Sequence, residues 1–167
     1  GVGPAALSPL AAARGVPIVL MHNRTEPVYA DLVGEVVADL RVAVERAVAA
    51  GVPPEAVIVD PGIGFGKTAE QNLALLRELD ALLALGQPIL LGTSRKSTIG
   101  RVLDLPPEER LEGTLATTAL GIAAGVDIVR VHDVRPNVRT ARMSDAVVRG
   151  WPGETSAPLA DRGGASR

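Results

Sequence analysis

Short apolar runs alternate with longer amphipathic stretches along the chain. The short runs are rich in Val, Ile and Leu and predict buried strands at residues 16–21, 56–59, 88–91 and 126–131. The longer stretches repeat apolar residues at helical spacing and predict helices at residues 4–14, 31–50, 69–85, 107–124 and 136–149. A helix followed by four strand–helix units predicts an α/β protein with a parallel sheet covered by helices.

Two architectures are compatible with this order of elements: a small doubly wound sheet, or part of a (β/α)8 barrel. A complete barrel needs roughly 250 residues, and this chain has 167. The four strand–helix units of residues 1–150 would supply half of such a barrel. Residues 151–167 are rich in Gly, Pro and Ser and are predicted to be a disordered tail. Because the chain begins with Gly1 rather than Met, we expect its true start to be missing.

Composition narrows the possible functions. The net charge of −2 leaves no basic footprint for nucleic acid, and Tyr29, Phe65 and Trp151 are the only aromatic residues that bases could stack on. The absence of cysteine excludes disulfides and thiolate metal sites. No apolar run reaches membrane-spanning length and no signal peptide pattern is visible. We expect a cytoplasmic protein without a nucleic-acid or membrane partner.

The loop after the second strand, residues 60–68, is the first candidate for a binding site. The strand ends at the carboxylate of Asp60, Pro61 stops strand pairing, and glycines at 62, 64 and 66 free the backbone. The segment Gly66–Thr68 is not a nucleotide P-loop, because that motif needs a glycine at position 61. The glycine spacing also excludes a dinucleotide fingerprint. A change at Lys67 is therefore expected to have little effect on ligand binding.

Polar side chains follow every predicted strand: His22, Asp60, the run Ser94–Ser97, and Arg130 with His132. Four strand ends converging on one rim favour a barrel active site over a switch-point crevice, which uses fewer. Either histidine alone is more often a hydrogen-bonded structural residue than a catalyst. Arg130 interrupts an apolar strand, where an unpaired charge is costly, so it should point at a ligand or a partner acid.

Four segments resemble those of dihydropteroate synthase in order and approximate spacing, over about residues 5 to 150. They are Val19–His22, Asp60–Lys67, Gly92–Ser97 with Ile99–Gly100, and Arg130–Asp133. The family's fold is a (β/α)8 barrel, and these segments match its strands five to eight. The resemblance thus implies the C-terminal half of such an enzyme. One departure is the run 22–25, where many members carry Met-Arg-Gly.

The resemblance implies transfer of a pterin-methyl group from its diphosphate to 4-aminobenzoate, giving dihydropteroate and diphosphate in folate biosynthesis. In this reaction Asp60 would accept from the pterin amino group and ring N–H, and Lys96 would donate to the ring carbonyl and nitrogen. Arg130 would stack on the pterin and reach phosphate. His132 would donate to the departing diphosphate. Lys96, Arg130 and His132 are thus the expected catalytic residues.

The resemblance also implies four further substrate-binding positions. Ser97 opens a helix turn suited to the aminobenzoate carboxylate, Met21 and Phe65 supply apolar walls, and Gly92 begins the third motif. Mg²⁺ is an expected cofactor, but its ligand would lie in the N-terminal half of the family, which has no counterpart here. Full-length members are usually homodimers.

Three alternatives stay open. A methyltetrahydrofolate methyltransferase domain would bind a pterin through a similar Asp but would lack the run at 94–97. A nucleotide-binding domain would use residues 66–68, although the glycine spacing argues against it. A non-catalytic half-barrel would keep the pterin pocket without turnover.

Overall fold

The computed structural model describes residues 4–151. Within them the protein is α/β, and the predicted helices and strands are present in order, with one further helix between the third and fourth strands. Apart from Trp151, the predicted tail lies outside the described residues. The strands are β1 (Ile18–Met21), β2 (Val57–Asp60), β3 (Leu90–Leu91) and β4 (Ile128–Val129). The α-helices are α1 (Pro4–Arg14), α2 (Leu32–Ala49), α3 (Ala69–Arg77), α4 (Ser97–Leu103), α5 (Leu111–Ala123) and α6 (Val134–Val148).

The strands run parallel and neighbour one another in chain order. β1 pairs with β2, and β3 pairs with β4. A bridge between Val59 and Ile89 joins the two pairs. The order is therefore β1-β2-β3-β4, as expected for right-handed strand–helix units that add to one side of a growing sheet.

Strand alternation and pairing register give the sheet two distinct faces. The face toward the helices carries Val59, Ile89 and Leu91, which form the main core with residues of α2, α3 and the turn after α3. The opposite face carries Met21 and Asp60, which pair across β1 and β2. Gly92 and Arg130 continue the alternation of β3 and β4 onto that same face.

The helix predicted at 69–85 is wrong in its second half. The α-helix ends at Arg77, and a 3₁₀ helix continues from Leu79 to Leu85. Glu78 leaves helical geometry at φ −111° and ψ 31°. Tighter winding aligns residues three apart, so Leu79 and Leu82 are both buried, whereas Leu83 is exposed.

Other boundaries also differ from the prediction. β3 and β4 have two residues each, and the helix predicted at 107–124 is a 3₁₀ turn, Pro107–Glu109, followed by α5. The turn expected at Ser97 is a helix of seven residues. Arg130 lies just beyond β4 and its side chain is 58% exposed, so the buried position inferred for it is wrong. No helix among residues 4–151 is long and apolar enough to cross a membrane.

Candidate active site

Asp60 is the buried carboxylate of the site. It ends β2 and is only 2% exposed. Its Oδ1 accepts a hydrogen bond from Gly62 N–H at 2.8 Å, and its Oδ2 lies 3.4 Å from an Arg130 nitrogen. Burial raises the pKa of Asp60, although the Gly62 N–H and the cations Arg130, Lys96 and Lys67 oppose this rise.

Arg130 lies across Gly92, which begins the loop after β3. A Cβ on Gly92 would come within 2.9 Å of the Arg130 guanidinium. Gly92 therefore lets the guanidinium approach the backbone and reach Asp60. The expected partner acid of Arg130 is Asp60, 70 residues earlier in the chain.

Lys96 approaches Asp60 from the third strand end. Its Nζ lies 4.1 Å from the centre of the Phe65 ring, and its stem packs against Gly64. Burial lowers the pKa of Lys96, and repulsion from Arg130 adds to this, while Asp60 opposes it. An ammonium over the face of an aromatic ring is attracted to that ring. Phe65 therefore holds Lys96 against the loop that follows Asp60.

His132 lies at the rim beside a pocket of about 190 Å³. Its Nδ1 is 2.9 Å from Ser94 Oγ, and its backbone N–H donates to the same oxygen at 3.1 Å. Ser94 is 5% exposed, so this pair fixes the ring at the pocket edge. The pocket is lined by Gly92, Ser94, Lys96, Arg130, Val131 and His132.

A second ion pair holds the last two strand ends together. Arg95 donates two hydrogen bonds to Asp133, at 2.7 and 3.1 Å. The Asp133 backbone carbonyl accepts from Asn137, which also accepts from Thr118 of α5. This ion pair joins the Lys96 loop to the His132 loop.

Three side chains hold the glycine loop after β2 in place. Tyr29 donates to the carbonyl of Gly66 at 2.8 Å, and Asn72 of α3 accepts from Gly64 N–H at 2.8 Å. Lys67 donates to the carbonyls of Gly62 and Phe65 at 3.2 and 3.1 Å. No sequence signal marks Tyr29 or Asn72 as part of the site, because their partners are backbone groups distant in the chain.

Gly62 and Gly66 are required where they stand. Their φ angles are +69° and +57°, in the region that favours glycine. A Cβ on Gly62 would overlap the carbonyl oxygen of His22, and one on Gly66 would overlap that of Arg24. The loop is thus pressed against the segment after β1.

His22 is a buried structural residue at 4% exposure. Its Nε2 is 3.2 Å from Asp39 of α2, and its Nδ1 is 2.9 Å from Lys67 Nζ. Burial, helped by Lys67, lowers the pKa of His22. A neutral ring with the proton on Nε2 satisfies both partners, because Lys67 can only donate.

Two of the predicted substrate-binding residues, Met21 and Ser97, lie at the edge of the candidate site. Met21 ends β1 opposite Asp60 and is 37% exposed. Ser97 is exposed and follows Lys96 as the first residue of α4. Neither lines the pocket at His132. Among residues 4–151, no three His, Asp or Glu side chains form a group able to hold a metal ion.

Comparison with known proteins identifies the family of the chain. The family model described as pterin binding enzyme matches residues 3–132. The chain belongs to the family of pterin-binding enzymes. The dihydropteroate synthase of Bacillus subtilis is 56% identical over 142 residues, which are 85% of this chain and 50% of that protein.

Solved structures of pterin-binding enzymes give the same picture. The dihydropteroate synthase of Clostridium difficile, crystallised in the presence of pteroic acid, superposes with a TM-score of 0.84 at 49% identity, covering 86% of this chain and 55% of that one. The Thermus thermophilus enzyme in complex with 4-aminobenzoate gives a TM-score of 0.79 at 42% identity, covering 85% and 61%. The chain thus spans about half the length of the curated relatives it matches.

Proposed function

We propose that the chain is the C-terminal half of a dihydropteroate synthase and supplies strands five to eight of its barrel. The reaction joins 6-hydroxymethyl-7,8-dihydropterin diphosphate to 4-aminobenzoate and releases diphosphate. The observation that carries this proposal is the convergence of Asp60, Lys96 and Arg130 from three strand ends. The unbroken strand order β1-β2-β3-β4 supports an arc of a barrel.

Asp60 is the proposed anchor for the pterin. A pterin presents an amino group and a ring N–H side by side, and one carboxylate can accept from both. Oδ1 is already held by Gly62 N–H, which fixes the plane of the carboxylate before a ligand arrives. In a buried site such charge-assisted bonds are worth more than in water, because little solvent competes.

Lys96 and Phe65 are proposed to form the wall next to this anchor. The Lys96 ammonium, held over the Phe65 ring, is placed to donate to the pterin carbonyl and ring nitrogen. Phe65 and Met21 offer apolar surface to the aminobenzoate ring. Ser97, next to Lys96 in the chain, is the proposed contact for its carboxylate.

Arg130 and His132 are proposed to bind the diphosphate. Arg130 presents a planar cation that matches phosphate oxygens and stacks on a flat ring. Ser94 Oγ accepts from His132 N–H, so its own proton is free to donate to Nδ1. This arrangement leaves the Nε2 atom of His132 as the proposed donor to the leaving group.

The proposed chemistry needs no protein nucleophile. The bond between the pterin methylene carbon and the diphosphate oxygen breaks, the aminobenzoate nitrogen bonds to that carbon, and the nitrogen loses a proton. Positive charge develops on the pterin while negative charge leaves with diphosphate. Arg130 and His132 therefore act by stabilising the leaving group, and Asp60 and Lys96 by positioning the pterin.

Mg²⁺ is the metal that the family resemblance implies. The described residues do not match the needs of such a site, since no group of three potential ligands lies together. No step of the proposed reaction is therefore assigned to the metal.

A cytoplasmic location and a homodimeric full-length protein belong to the same proposal. Size-exclusion chromatography of the full-length protein tests the homodimer.

The proposal is tested by a charge change at Lys96. Lys96→Ala should abolish calorimetric binding of the pterin diphosphate, whereas Arg139→Ala, which removes one exposed positive charge from α6, should leave it unchanged. Equal affinity in the two variants would remove Lys96 from the site. Loss of binding in both would indicate a nonspecific charge effect.

Among the alternatives, the run Ser94–Ser97 still favours the synthase over a methyltransferase domain. Ser94 and Lys96 line the pocket beside Arg130, and Arg95 joins two strand ends. A non-catalytic half-barrel would show pterin binding without diphosphate release when the missing half is supplied.

A further inference from the structure

The ammonium group of Lys67 is fully occupied by protein. Its three N–H groups face three acceptors: His22 Nδ1 at 2.9 Å, Phe65 O at 3.1 Å and Gly62 O at 3.2 Å. A lysine ammonium has only three donors, so none is left for a phosphate. These contacts agree with the absence of a P-loop motif, but they lead us to revise the expectation that a change at Lys67 has little effect on ligand binding.

The two carbonyls that Lys67 holds belong to one turn. Phe65 N–H donates to Gly62 O at 3.0 Å, so residues 62–65 form a closed turn, and Lys67 joins both of its ends. Gly62 N–H in turn fixes the Asp60 carboxylate, while the Phe65 ring lies under Lys96. The turn therefore carries the geometry of Asp60 and Phe65.

We infer that Lys67 is a positioning residue, whose ammonium clamps the Gly62–Phe65 turn and thereby sets the Asp60 and Phe65 surfaces for a flat heterocyclic substrate. His22 and Asp39 extend the clamp, because Asp39 orients the His22 ring through Nε2 and leaves Nδ1 to accept from Lys67. The role in substrate binding rests on the proposed function, whereas the role in ordering the turn stands on the contacts alone.

Burial in the fold disfavours the charged form of Lys67. Burial lowers the pKa of Lys67 to about 8, with Arg24 adding to the shift and Asp60 opposing it. Because the unfolded chain binds the proton more tightly, folding stability rises with pH from about 8 towards the usual lysine value. The fold thus buries the Lys67 charge at a cost and also surrounds it with three acceptors. This combination indicates a role in the site.

The experiment uses the absence of cysteine from the chain. Lys67→Cys introduces a single thiol that 2-bromoethylamine converts into a lysine analogue with a sulfur in its stem. Alkylation with 1-bromopropane gives an uncharged adduct of the same length without N–H donors, which is the matched control. Both adducts are compared with the parent by NMR hydrogen exchange at the Phe65 amide, by melting temperature, and by calorimetry with the pterin diphosphate.

The positioning role predicts four results. The neutral adduct should raise Phe65 exchange at least tenfold and weaken pterin binding, without lowering the melting temperature, and the amine adduct should restore both exchange and binding. Unchanged Phe65 exchange in the neutral adduct overturns the clamp. Faster exchange with unchanged pterin affinity overturns its role in binding. A parent that binds no pterin refutes the proposed function, and the exchange result still decides the clamp.

A second measurement needs no substitution. The chain has only two lysines, Lys67 and Lys96, so selective ¹³C labelling gives two side-chain signals to titrate. The charged and titratable groups facing Lys67 are Asp60, Arg24 and His22, with Asp39 behind His22. The Phe65 protection factor should fall as Lys67 loses its proton near pH 8. A protection factor that stays constant through that titration contradicts the clamp.

Discussion

The Asp60 carboxyl shows how burial and nearby cations compete at a single residue. Arg130, Lys96 and Lys67 all favour the ionised form, yet burial still raises the Asp60 pKa. The folded chain therefore holds this proton more tightly than the unfolded chain, and stability falls as pH rises from the usual aspartate range through the raised pKa. At neutral pH the ionised group is a cost to the fold that its ligand would offset.

The first prediction follows from this cost. Asp60→Asn keeps the side-chain size and can still accept from Gly62, but it leaves one of two pterin N–H groups without a good acceptor. Pterin affinity should fall by about 1.5–3 kcal/mol, or more than tenfold. The melting temperature at pH 7 should stay the same or rise. Calorimetry showing unchanged affinity would remove Asp60 from the site.

The second prediction concerns Gly92. In Gly92→Ala the new methyl group would come within 2.9 Å of the Arg130 guanidinium and displace it from Asp60. Binding of the pterin diphosphate should weaken about as much as in Arg130→Met. Because both changes act on one group, the double variant should be no weaker than Arg130→Met alone. Additive losses would show that Gly92 acts independently of Arg130.

At the residue scale, the sequence predicts candidate-site residues that directly follow strands. It does not predict the residues that hold the loops of the candidate site in place. Asp60 and Arg130 were predictable as site residues because each is a charged group next to an apolar strand. Tyr29, Asn72 and Lys67 act on backbone carbonyls and amides, which carry no sequence signature. His22 and Lys67 meet across 45 residues, a distance that helical or strand periodicity does not reach.

At the scale of elements, the start of α3 fixes where the glycine loop ends. Thr68 caps the helix: its side chain accepts from Gln71 N–H, and the Gln71 side chain accepts from Thr68 N–H. Gln71 also donates to the carbonyl of Pro27 in the segment after β1. This capping box therefore ties the helix, the loop and the neighbouring strand end together.

The third prediction tests that capping box. Thr68→Ala should cost about 1 kcal/mol of unfolding free energy, within a usual range of roughly 0.5–2. For a chain of this size the melting temperature should fall by about 2–4 °C per kcal/mol. Thr25→Ala, at an exposed position outside the helices, is the control and should change little. A loss at Thr68 no larger than that at Thr25 would contradict the capping role.

The type of each element was predictable because each apolar run has a clear helical or strand pattern. The residues at which most elements end were not predictable. α1 was predicted at the observed bounds, since its Ala and Leu content and Gly15, at φ +61°, mark both body and end. The break at Glu78 has no Gly or Pro signal and arises from packing Leu79 and Leu82 into the core. β3 and β4 are short because only two residues of each take part in strand pairing, whereas the apolar runs that predicted them are longer.

At the scale of the molecule, the two edge strands of the sheet, β1 and β4, each have an unpaired edge within the described residues. β1 pairs only with β2, and β4 only with β3. On the face that carries the site, Val19 and Ile128 are 42% and 37% exposed, whereas Leu90 is 8% exposed. Open edges and exposed apolar side chains favour association with further strands. This agrees with the proposal that four more strands complete a barrel.

The fourth prediction is that the 167-residue chain alone shows no synthase turnover. An open half-barrel does not exclude water from a cationic intermediate, and losses of leaving-group stabilisation cost several kcal/mol, or orders of magnitude in rate. The assay supplies Mg²⁺, pterin diphosphate and 4-aminobenzoate and follows diphosphate release. Turnover comparable to a full-length enzyme would show that the active site is completed differently, for instance by two copies of the chain.

The most direct test of the proposed function is a pair of calorimetric titrations of the unmodified chain, one with 6-hydroxymethyl-7,8-dihydropterin diphosphate and one with ATP. Both ligands carry a diphosphate unit, but only the first presents the paired N–H groups that Asp60 is positioned to accept. We predict saturable binding of the pterin that is lost in Lys96→Ala, and no measurable binding of ATP. Micromolar binding of ATP without binding of the pterin would contradict the proposed function.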